Sequence, residues 1–182
     1  MPRQSSPQQW RSRSSGGRRR AALCGNVLWL LVIQGAAAAL AGFSASAAQA
    51  QPTTVRTPLC IVGPGMRIQR FSVELADQPD EHRRGLMFRR SMEPGHGMLF
   101  VYAQAHSIAM WMKNTFISLD MLFIRDARVI SIASRTPPRS EGIIRSDGPA
   151  EAVLEIVGGE AQRRGLRVGD RVMHAALGTA CP

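Results

Sequence analysis

The stretch "IAMWMKNTFISLDMLFI", residues 108–124, decides the fold. Its first part alternates. Ile108, Met110 and Met112 fall on one side of an extended chain, with Ala109 and Trp111 on the other. Asn114-Thr115 are turn residues, and a second apolar run follows them. The pattern predicts two strands, 108–112 and 117–124, paired as a hairpin. With Met112 opposite Ile117, Met110 faces Leu119 and Ile108 faces Met121. On that register the methionines fill a core, as flexible side chains do. The register is an assumption, because a slip of one residue turns every side chain to the other face.

The second face of the hairpin is a candidate site. It sets Trp111 opposite Ser118 and Ala109 opposite Asp120, with Lys113 two residues on from Trp111. An indole offers a flat stacking surface, and an ammonium offers an anion contact or a cation–π partner. Asp120 adds a carboxylate within cross-strand reach. Asn114 in the turn and Arg89 after an upstream helix complete the candidate ligand-binding residues. The bland alternative buries Trp111 beneath a loop or helix, with Lys113 and Asp120 merely paired at its edge. Single tryptophans are usually packing residues. The two readings differ in one point of geometry, whether this face is open or covered.

Working outward, "RFSVELA" (70–76) alternates as a half-buried strand. "DQPDEHRRGLM" (77–87) reads as one short helix. Pro79 suits its first position, Asp80 and Glu81 its positive end, and Arg83 and Arg84 its last turn. Gly85 suits a left-handed cap, with Leu86 folding back as the hydrophobic contact. "GMLFVY" (97–102), "VISIA" (129–133) and "EAVLEIV" (151–157) read as further strands. "GGEAQRRGL" (158–166) repeats the helix-and-cap pattern, and "RVMHAAL" (171–177) closes the chain as a strand. Residues 134–149, with Pro137-Pro138 and Gly148-Pro149, read as a long loop. The expected fold is α+β and mainly β. It is an antiparallel, partly barrel-like sheet of about six or seven short strands with two short helices.

The first fifty residues belong to another class. Residues 1–20 hold six arginines and no acid, and an apolar run covers 21–43. The small-residue series "SASAAQAQ" comes next. These are the three parts of a secretory signal, with cleavage after Ala50. The alternative is an uncleaved inner-membrane anchor through residues 21–43. The domain division is then a leader over 1–50, a lead-in segment over 51–66 and one β-rich domain over 67–182. All 13 acidic residues follow position 50, as do 17 of the 23 basic ones, so the formal charge of 51–182 is +4 rather than +10. Its charges are mixed in sign along the chain, the look of a solvated surface and not of a nucleic-acid patch. Cys60 and Cys181, near the two ends of this portion, form an even pair. In an oxidising compartment they are expected to form a disulfide; two free thiols are the alternative.

Six segments together resemble a known family. "VELA", "RRGLMFR", "GMLFVY", "MWMKNTFISLD", "VLEIVGG" and "GLRVGDRV" look like the prokaryotic family called domain of unknown function 192, in that family's order. The resemblance covers roughly residues 67–174. Its "GLM.R" segment falls on Gly85, Leu86, Met87 and Arg89. Its "WMKNT" falls on Trp111 to Thr115, and its "LD" on Leu119 and Asp120. Two departures are Met110, where the family usually has Phe, and Ser118, where it usually has Pro. The resemblance implies a small β-rich fold and frequent export. It implies no activity.

Three functions compete. The first is an exported ligand-binding or accessory module that takes a small polar or carbohydrate-like ligand on the Trp111 face. The second is a glycan hydrolase with Asp120 and Glu155 as its carboxylate pair, which needs a separation of ~5–10 Å. No nucleophile elbow, zinc-binding helix or phosphate loop is present, so catalysis stays an open question. The third is a copper site. Residues 51–182 hold eight methionines, and His96, Met98 and His106 lie near Met110 and Met112 in sequence. Most of these methionines suit core positions, so neither a metal nor another cofactor is expected. No nucleic acid is expected as a partner, and the membrane enters only through the leader.

Overall fold

The computed structural model describes residues 55–182, and the leader lies outside them. The elements run in the order β1 (Arg56–Val62), β2 (Ile68–Ala76), α1 (Pro79–Arg84), β3 (His96–Met110) and β4 (Leu119–Arg125), then β5 (Arg128–Thr136), β6 (Ile144–Val157), α2 (Glu160–Arg164) and β7 (Arg171–Met173). The strands form one sheet in the order β1-β2-β3-β6-β4-β5-β7, which closes into a ring because β7 pairs with both β1 and β5. The neighbours are antiparallel except β2 and β3, which are parallel. The sheet is therefore mixed, not purely antiparallel. The chain between β2 and β3 includes α1, and a parallel pair needs that kind of crossover.

Two cores result. Leu59, Phe71, Leu99, Leu122, Val129, Leu154 and Val172, one from each strand, meet inside the ring. Met98, Phe100, Ile108, Met121, Phe123 and Val153 form a second core on the outer face of β3, β6 and β4, closed over by Leu86 and Met112. Buried on both faces, β4 has six buried residues out of seven. Its sequence therefore reads as a run and not as an alternation.

The expected hairpin does not form. Met110 of β3 pairs with Ile144 of β6, and β4 lies between β5 and β6, with Leu119 opposite Thr136 and Met121 opposite Glu155. The segment after β3 is held by other neighbours. The Thr115 N–H donates to the Met112 carbonyl at 3.0 Å, closing a turn. The Met112 N–H donates to Ser140 at 2.9 Å, and the Phe88 N–H donates to Asn114 at 2.8 Å. "GMLFVY" and the first three residues of "IAMWM" are parts of one strand of 15 residues, which ends at Met110. Register shifts between Val101 and Ala109 let that strand bend.

Two further expectations change. Most of 134–149 is strand, since β5 runs to Thr136 and β6 starts at Ile144. Pro149 sits opposite Ser107 at a register shift, a place where a strand tolerates proline. The lead-in segment supplies β1, which pairs with β2 from Arg56 opposite Glu74 to Val62 opposite Ile68. Cys60 on this strand is disulfide-bonded to Cys181, with Cα atoms 5.2 Å apart and a sequence separation of 121. The α1 reading holds for Pro79–Arg84, but Gly85, with φ 44° and ψ −134°, ends the helix outside the left-handed helical conformation expected of it. Gln78 and Glu81 form a reciprocal cap, and the Gly85 N–H donates to the Glu81 carbonyl at 2.7 Å.

Candidate functional site

Trp111 follows the last residue of β3 and points away from Met112. Met112 is fully buried, whereas Trp111 is 47% exposed. The indole forms one wall of a pocket of about 470 Å³. His82, Arg83 and Arg84 of α1 line it too, as do Phe100 and Tyr102 of β3 and Glu155 of β6. Lys113 leans over the indole, its Nζ 5.6 Å from the ring centroid and 3.9 Å from the Glu141 carboxylate. Trp111 and Lys113 thus share a face, as the alternation required.

The α1 wall is fixed by ring contacts. The His82 ring lies 4.5 Å from Tyr102 and 6.0 Å from Phe100, centroid to centroid. Its Nε2 is 3.0 Å from the Ala76 carbonyl. A carbonyl only accepts, so this nitrogen carries a proton and donates.

Glu155 is the unusual group. It is 4% exposed, and its strand neighbours in register are Met98 and Met121. Its carboxyl has no hydrogen-bond or ion-pair partner among the described residues, and it lines the pocket. Burial pushes its pKa up to about 8, so the carboxyl is mostly protonated at neutral pH. Burial also pushes the Tyr102 phenol up, and the Glu155 charge adds to that.

The other candidates lie elsewhere. Asp120 is fully buried and does not face Trp111. Its Oδ1 accepts from the backbone N–H of Arg135 at 2.7 Å and Gly159 at 2.8 Å, and its Oδ2 accepts from Ala161 at 2.8 Å. It therefore caps α2 from a neighbouring strand. Arg89 donates twice to Glu74, each bond 2.7 Å. Burial raises the Glu74 pKa, but hydrogen bonding and charge from Arg89, helped by Arg56, hold it below the usual carboxylate value. Asn114 occupies the turn with φ 57°.

The carboxylate pair fails on parity. Asp120 stands opposite Ile156, which packs inside the ring, whereas Glu155 stands opposite Met121 in the outer core. The two carboxylates lie on opposite faces of the sheet, so they cannot flank one glycosidic bond. The copper ligands do not converge either. Met98, Met112 and Met121 are core residues, His96 and His106 are ten positions apart on β3, and His106 Nδ1 bonds the Gln104 carbonyl at 2.9 Å.

Trp111, singled out in the sequence, lines this pocket with His82 and Tyr102, which the sequence reading did not single out, while Glu155 does not share a face with Asp120. One signal was available. "EAVLEIV" puts an acid in the middle of an apolar run, where both faces of a strand are expected to be buried.

Comparisons with known proteins agree with this fold. The family described as uncharacterized ACR, domain of unknown function 192, matches residues 61–174. A crystal structure from Sinorhizobium meliloti 1021, described as a proposed transcription regulator, is similar with 38% identity and a TM-score of 0.67, covering 69% of this chain and 98% of that one. A protein of unknown function from Novosphingobium aromaticivorans DSM 12444 is similar with 36% identity and a TM-score of 0.65, covering 68% of this chain and 90% of that one. No curated protein matches. The ring of strands, the two capped helices and the "RRGLM" and "WMKNT" segments that build the pocket walls place this chain in the family of domain of unknown function 192.

Proposed function

We propose that the domain is an exported small-ligand binding module whose site is the pocket between α1 and the end of β3. One observation carries this reading: a half-exposed tryptophan and a buried, unpartnered carboxyl line the same 470 Å³ pocket. Pockets of this size, mostly apolar with a few placed polar groups, are the usual form of a small-molecule site. The class of ligand is small and polar, a sugar-like molecule included.

Export rests on the basic, apolar and small-residue order of 1–50 and on the Cys60–Cys181 disulfide. Among the described residues no helix is long and apolar enough to cross a membrane. Mass spectrometry of the chain expressed in a bacterium tests the leader. A mature protein beginning at Gln51 supports cleavage, and an intact N-terminus supports the anchor formed by residues 21–43.

The description of the S. meliloti relative as a transcription regulator is not carried over. Helices α1 and α2 have six and five residues, too short for a recognition helix in a major groove. A panel of sugars, amines and carboxylates, followed by NMR of the full-length chain, tests the binding reading. We expect one class to shift the Tyr102 and Trp111 resonances together. A panel that shifts neither contradicts the reading.

A further inference from the structure

We propose that the ligand carries an ammonium group, which the Glu155 carboxylate holds at the floor of the pocket beside the rings of Tyr102 and Trp111. The inference rests on the reading of this pocket as a binding site and names the ligand's charge. A buried carboxyl is costly unless something pairs with it. The other buried acids show how this protein meets that need. Asp120 accepts three backbone N–H groups, Glu74 takes a bidentate arginine, and Glu160 takes Arg164 at 2.7 Å. Glu155 alone among these has no such partner among the described residues, and its carboxyl lines the pocket. An incoming ammonium supplies the missing charge and the missing donors together. Aromatic faces suit the same ion, because a ring's quadrupole attracts a cation. A neutral hydroxyl offers a hydrogen bond but no charge.

The groups facing Glu155 set the direction of the ligand. Met98 and Met121 flank it on the adjacent strands, and Tyr102 of β3 and His82, Arg83 and Arg84 of α1 line the same pocket. Both arginines are exposed at the rim. The cationic end therefore goes to the floor and a neutral or anionic end to the rim. Binding drives the proton off Glu155, because an ammonium pairs with the carboxylate and not with the acid.

Three molecules with one skeleton test this: phenethylamine, 2-phenylethanol and phenylacetate. The full-length chain with W10F and W29F leaves Trp111 as its one tryptophan and thus as the fluorescent reporter. We expect phenethylamine to bind ~10-fold tighter than 2-phenylethanol, and its affinity to rise up to ~10-fold per pH unit from about pH 6 to pH 8. The E155Q variant should bring phenethylamine down to the level of the alcohol and flatten the pH dependence of its affinity. Equal or tighter binding of 2-phenylethanol or phenylacetate overturns the ammonium inference and leaves the pocket reading standing. No response to any of the three overturns both. If E155Q does not fold, the unaltered Glu155 chain decides: an affinity for phenethylamine that is flat or falling over that pH range overturns the inference.

Discussion

A carboxyl group taken out of water loses its solvation, and at Glu155 no group among the described residues replaces it. The consequence for stability has a definite sign. With a folded pKa of about 8, the native state keeps a proton that the unfolded chain releases near pH 4.5. Stability therefore falls as pH rises through that window, by up to ~1.4 kcal/mol per unit. Glutamine cannot ionise, so E155Q should be the more stable protein above about pH 5, with a margin that widens toward pH 8. Urea denaturation at a series of pH values checks this; a margin that does not change with pH contradicts it. Glu74 behaves in the opposite way. Its lowered pKa contributes stability at neutral pH that is lost as pH falls below the model-peptide value of 4.5. Two carboxyls on one small domain thus respond to pH with opposite sign, and the arginine beside one of them makes the difference.

At the scale of elements, legibility followed the range of the interactions. Helix α1 was readable because its signals are local: Pro79 at the start, Gly85 at the end, arginines in the last turn. The same holds for α2 and Gly165, whose φ of 65° is the left-handed cap that the glycine implied. The hairpin was misread because strand pairing is not local. Alternation in 108–112 correctly sent Met112 inward and Trp111 outward, but alternation says nothing about which strand lies alongside. The start of β6 was hidden by Gly148 and Pro149, which a bulge absorbs. Asp120 looked like a site residue because its role is played by backbone groups that a sequence does not display. That role is measurable. Replacing Asp120 with Ala leaves three backbone N–H groups unmet, two buried at the N-terminus of α2 and one on β5. We expect a loss of ~2–4 kcal/mol in chemical denaturation, far more than for an exposed acid. A loss below about 0.5 kcal/mol contradicts the capping role.

Across the whole molecule, closure depends on a small element. Strand β7 has three residues and joins the ring through Cys60–Met173 to Val62–Arg171 on one side and Arg128–Arg171 on the other. The disulfide ties the chain's end to β1 beside it, and Arg70 adds a bond of 2.8 Å to the Pro182 carbonyl. A loop of 121 residues is long, so the chain-entropy argument assigns this link ~4–5 kcal/mol. The C60A/C181A variant should unfold at a correspondingly lower denaturant concentration; an unchanged midpoint contradicts that account. The pairing of the two cysteines was readable from the sequence. The pocket was not, because its walls come from α1, β3 and β6, which only the closed sheet brings together.

The central claim is that Glu155 is an unpartnered acid at the floor of an open pocket. Labelling glutamate side-chain carboxyls with ¹³C in the full-length chain, assigning Glu155 by comparison with E155Q and titrating with pH tests it most directly. The structure places that transition near pH 8. Phenethylamine should move it downward. A Glu155 carboxyl that titrates in the ordinary range near pH 4.5 would contradict the account, since such a group is already solvated or already paired.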